Sequence, residues 1–205
     1  MPIQKHLADP MLHSVSIDHQ QLISDLSSAE LSTRFRAVQA LAEIEGVSEP
    51  LCQLLVVETE PVVQQILVSA LIRFPTPEVV QHLVLHLPQA SIALKNNIAE
   101  ILRHYPPQLL NMAGSGLADP DPSLRLIWLQ IMADWPNPPL LDVILECLTK
   151  EQDSNVFAAM VELAVPTGDQ RLIPVFAAAS PRFAKEPFVQ FVLTQAMARL
   201  EQSYE

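Results

Sequence analysis

Residues 117–132 read Leu117-Ala118-Asp119-Pro120-Asp121-Pro122-Ser123-Leu124-Arg125-Leu126-Ile127-Trp128-Leu129-Gln130-Ile131-Met132. Two prolines this close cannot lie inside a helix, because each lacks an N–H and crowds the preceding turn. Asp121 before Pro122 is a start signal: a capping carboxylate, then proline at the first helical position, where the missing N–H costs nothing. Beyond it the apolar Trp128, Leu129 and Met132 are spaced by three and four, which gathers side chains on one helical face and does not fit the alternation of a strand. The stretch reads as one helix ending, a polar turn, and a second, amphipathic helix beginning.

The same reading extends outward in both directions. The chain holds 18 prolines and 4 glycines, and the prolines bound apolar segments of about 10–16 residues, the length of short helices. Ser48-Glu49-Pro50, Thr76-Pro77-Glu78 and Asn137-Pro138 carry the start signal again. Leu41, Leu71, Leu102, Met132 and Leu163 form a column with spacings of 30, 31, 30 and 31. Four residues upstream stand Ala37, Leu67, Ile98, Trp128 and Ala159; three upstream stand Val38, Val68, Ala99, Leu129 and Met160. All are apolar, so a two-helix unit repeats about every thirty residues. The predicted pairs are 18–27 with 29–44, 48–58 with 60–74, 77–87 with 90–104, 107–117 with 121–135, 138–148 with 153–164, and 169–178 with 185–201. The sixth is irregular, its first helix interrupted by Pro174, as expected of a unit facing water on one side. Residues 1–16 are expected to be an N-terminal tail or cap, and 17–205 a single repeat domain.

Composition narrows the function. Of 205 residues, 49% are hydrophobic and 17% charged, which supports a buried core and excludes a disordered chain. With 12 Lys and Arg against 23 Asp and Glu the net charge is −11, the wrong balance for neutralising phosphates, so no nucleic acid is expected as a partner. The apolar run from Ile66 to Ile72 falls far short of the ~20 residues that span a bilayer. Met1–Ser16 has one lysine and no continuous apolar stretch, unlike a signal peptide, so no membrane association and a cytoplasmic location are expected. Cys52 and Cys147 lack metal-type spacing and read as buried reduced thiols, with a disulfide or reactive thiol as the alternative.

The helix pairs resemble HEAT repeats, specifically the short HEAT-like units of phycobilisome lyases. Leu117 to Arg125 matches best: a leucine-rich first helix, an Asp-Pro turn, then an apolar–basic opening of the second helix. Arg34, Lys95 and Arg125 take the basic position, where Gln64 and Val156 depart from it; Ala40-Leu41 and Ala70-Leu71 supply the family's Ala-Leu pair. The resemblance covers about 185 residues from Ser16 onward. It implies an all-α fold, an α-solenoid or superhelix of about six helix pairs with the second helices lining a concave side, and says little of function.

Opposite the apolar columns, at one helical stripe, lie Arg36, Gln39, Glu43, Ser69, Arg73, Asn97, Glu100, His104, Gln130 and Asp134, interrupted by the apolar Ile66, Ile127, Ala158 and Val161. This stripe is the candidate partner-binding surface; the alternative is a plain solvated face.

No chemistry-bearing constellation competes with it. Glu78, His82 and His86 are spaced by four and can share a helix face, yet a solvated stripe is expected there and no metal. HEAT-repeat deoxyhypusine hydroxylases bind iron through His-Glu pairs, and this chain has no His-Glu dipeptide. HEAT-like DNA glycosylases need a basic groove and exposed aromatics; Trp128 falls in a core column, while Trp135 is the other tryptophan available. Gly114 and Gly116 lack the strand and the Lys-Ser/Thr of a phosphate loop and are expected to permit a close helix contact. His6, His13, His19, His82, His86 and His104 pair with no nucleophile. The expectation is a non-enzymatic protein–protein interaction scaffold or adaptor without cofactor, meeting a partner of basic or mixed surface. The alternative implied by the resemblance is a subunit of a bilin lyase.

Overall fold

The computed structural model describes residues 19–74, 76–135 and 138–202, the side chains of 138 and 139 excepted. The tail or cap expected over 1–16 lies outside them, with His6, His13 and the Asn137 start signal. The described chain folds into twelve α-helices and no strand. Residues 19–25 form α1; then follow α2 Leu31–Leu41, α3 Ser48–Val57, α4 Pro61–Arg73, α5 Pro77–His86, α6 Ile92–Leu102, α7 Pro106–Leu117, α8 Pro122–Met132, α9 Pro138–Lys150, α10 Ser154–Ala164, α11 Leu172–Ala179 and α12 Pro187–Gln202. None is long and apolar enough to cross a membrane.

Proline punctuates as expected: α4, α5, α7, α8, α9 and α12 each begin on one. Asp121 accepts from the Ser123 N–H at 2.8 Å, and Thr76 from that of Val79 at 3.3 Å, capping the helices predicted to start there. Ser48 does something else. It is the first residue of α3, buried, and its hydroxyl donates to the Phe74 carbonyl at 2.9 Å, tying the start of α3 to the end of α4. Pro174 does not interrupt a helix either. Helix α11 starts at Leu172, three residues later than expected, so Pro174 falls in its first turn, where the N–H has no intrahelical acceptor.

The chain divides into two compact units, Met1–Leu83 and Val84–Glu205, the boundary falling within α5. In the first, α4 packs against both α2 and α3, and Val38, Leu41, Leu55, Leu67 and Leu71 are fully buried. The second has two layers. Helices α6, α8, α10 and α12 are successive neighbours in one, α7, α9 and α11 in the other, and α7–α8, α9–α10 and α11–α12 join them.

The apolar columns form this core, with one correction. Leu41, Leu71, Leu102 and Met132 are fully buried, but the fifth member, Leu163, is only half-buried, as is Ala159. Ala164, Met160 and Val161 take the places expected of Leu163, Ala159 and Met160. The cause is the length of one unit: α2, α4, α6, α8 and α10 begin at 31, 61, 92, 122 and 154, so the last step is 32 residues. A helical stripe keeps register with its own helix start, and the column follows 41, 71, 102, 132, 164. Among the fifteen column positions Val68 is also half-buried.

Candidate functional site

Seven of the ten stripe residues fall on the outward faces of α2, α4, α6 and α8, which bury the columns on their opposite sides, while Glu43, His104 and Asp134 lie two residues past the ends of α2, α6 and α8. Arg36, Gln39, Glu43, Ser69, Arg73, His104, Gln130 and Asp134 are exposed, Asn97 and Glu100 half-buried. Ile66 and Ile127 interrupt the stripe as half-buried residues, whereas Ala158 and Val161 are buried, a consequence of the register step in α10.

The charges on this face pair across neighbouring helices. In the first unit Arg73 on α4 pairs with Glu43, just beyond the end of α2. In the second, Arg103 stands 3.5 Å from both Glu100 on its own helix and Asp134 beyond the end of α8, and His104 lies 3.8 Å from Glu100. Arg103 is absent from the predicted stripe because it follows Leu102 of the core column by one residue, which places it on the flank between column and stripe. In each unit the face thus carries charge of both signs.

The basic position of the repeat has a different role. Arg34 meets Glu58, the residue ending α3, through two bonds of 2.9 and 3.2 Å, while its third nitrogen donates to the carbonyls of Ser28 and Ala29. Arg125 repeats this in the second unit, with bonds of 2.9 and 2.8 Å to Glu151 and donation to Asp119 and Pro120. One oxygen of each carboxylate also accepts two backbone N–H groups, from Thr59 and Glu60 or from Gln152 and Asp153. Each clamp therefore fixes the turn before one helix to the end of the next unit's first helix. Burial pushes the Glu58 carboxyl up, but the Arg34 bond and the two backbone donors outweigh it and leave it below the usual glutamate value. Gln64 replaces the basic residue in the unit between and donates to the Glu58 carbonyl at 2.6 Å. Lys95 has no such acid opposite, since the residue that follows α7 is Ala118.

A hollow adjoins each clamp, about 500 Å3 beside Arg34–Glu58 and about 640 Å3 beside Arg125–Glu151. Their linings correspond by repeat position, Leu26 with Leu117 and Val57 with Lys150. In each, the charges of the clamp itself are spent on one another and on backbone groups; the second hollow is lined in addition by Asp119 and by the exposed Glu146–Lys150 pair. Cys147 lines the second and is half-buried. Burial, then Glu146, push its thiol up; burial, then Glu49, push that of Cys52 up to about 12. Both cysteines are free, as expected, and both are held away from the reactive thiolate.

Among the described residues no three His, Cys, Asp or Glu side chains are placed to hold a metal ion. Trp128 and Trp135 are both buried, and the Trp135 indole donates to the Arg103 carbonyl at 3.2 Å, which leaves neither as a platform for a base. Gly116 permits the close helix contact expected: a Cβ there would stand 2.2 Å from the Trp128 ring. Gly114 is looser, with Val143 at 3.9 Å.

One feature of the second-helix layer escaped the sequence pattern. Phe188 and Phe191 on α12 are 55% and 63% exposed, and Phe191 walls a groove of about 450 Å3 between α10 and α12. The segment from Phe188 to Leu193 is too apolar for its faces to be separated by composition. The signal was positional: Val189, Leu193, Ala196 and Leu200 fill one face, which turns Phe188 and Phe191 outward. No protein-family model matches the chain, and the search of curated proteins found no match.

Proposed function

We propose that this protein is a non-enzymatic interaction scaffold of the cytoplasm, an α-solenoid of HEAT-like helix pairs that binds a partner protein along the outward faces of its second helices. The observation carrying this reading is the coincidence of two periodicities. The columns that make the core lie on one side of the second helices; Arg73 and Glu100 stand on the other, and Glu43, His104 and Asp134 follow just past the helix ends, so the helix packing presents the stripe. A face of paired charges held by a helical framework favours discrimination and rapid encounter over chemistry. The net charge of −11 favours a partner with a basic or mixed surface.

Affinity purification from the native host, with mass spectrometry, tests the reading. Arg73→Glu sets a second acid against Glu43 in the first unit, and Asn97→Asp adds a charge to the second unit's face. The double variant is expected to lose wild-type partners while its melting temperature falls by no more than about 4 °C, since Arg73 is exposed and Asn97 only half-buried. Retention of every partner by a folded double variant overturns the assignment. A coloured tetrapyrrole co-purifying with the wild type favours a bilin-lyase subunit instead.

A further inference from the structure

We draw no further inference here: the strongest candidate, the apolar groove between α10 and α12 walled by Phe191, carries none because nothing in the structure shows what covers it.

Discussion

Gly116 has no side chain because the Trp128 indole already fills the space where one would stand, 2.2 Å from the ideal Cβ position. Alanine there forces the indole or the α7 backbone to move, and overpacking of this kind costs about 1–3 kcal/mol. Gly116→Ala is therefore expected to lower the urea midpoint, although alanine is the better helix former. Gly114→Ala two residues away, with 3.9 Å to Val143, is expected to be neutral or stabilising by helix propensity alone. Glu58 gives a residue-scale prediction in pH. Its carboxyl sits below the ordinary value of 4.5 when folded, so its contribution is complete above about pH 4.5 and disappears as pH falls through the lower folded value. Unfolding midpoints followed from pH 7 to pH 3 are expected to fall more steeply in wild type than in Glu58→Gln. Glu151 belongs to the same design; removing it strands Arg125, whose side chain is 13% exposed, and leaves two N–H groups without their acceptor. Glu151→Ala is expected to cost about 3 kcal/mol, or about 10 °C in Tm.

At the scale of elements, helix identity was readable because proline and capping residues act locally. Pro122 and Asp121 set the start of α8 through φ and one hydrogen bond, with no help from elsewhere in the fold. What failed was tertiary in origin. The Ser48 hydroxyl bonds to Phe74, 26 residues away, and no local signal announces that. The fifth column slipped by one because the unit between α8 and α10 is 32 residues long, a length fixed by where the chain turns back and not by any single residue. Of the candidate site, the stripe was readable as the complement of the columns, whereas Phe188, Phe191 and the α10–α12 groove depend on how two helices lie side by side. The columns also yield a test of the layered packing. Leu102 is fully buried in α6, which packs on α8, and aspartate there buries an unpaired charge. Leu102→Asp is expected to cost more than about 4 kcal/mol and to abolish hydrogen-exchange protection in both helices together. Loss confined to α6 contradicts cooperative stacking.

For the molecule as a whole, the decisive quantity is the imbalance of 23 acidic against 12 basic residues. Among the described residues five arginines are engaged in clamps or cross-helix pairs with acids: Arg34, Arg73, Arg103, Arg125 and Arg171. Each removes one charge of either sign from the long-range field, so the pairs leave the excess of acid unchanged. That field acts on encounter and not on the packed contact, and it decays over about 8 Å at physiological ionic strength. The association rate with a captured partner of basic surface is therefore expected to fall about tenfold between low and physiological salt, while the dissociation rate changes little. Stopped-flow or surface-based kinetics across that range separates the two rates. A rate that holds steady, or rises with salt, means the partner docks through apolar contact alone and the charge excess serves solubility. A dissociation rate that climbs in step with the fall in association instead locates the salt-sensitive charges inside the contact, where reversal of Arg73 would act on residence time.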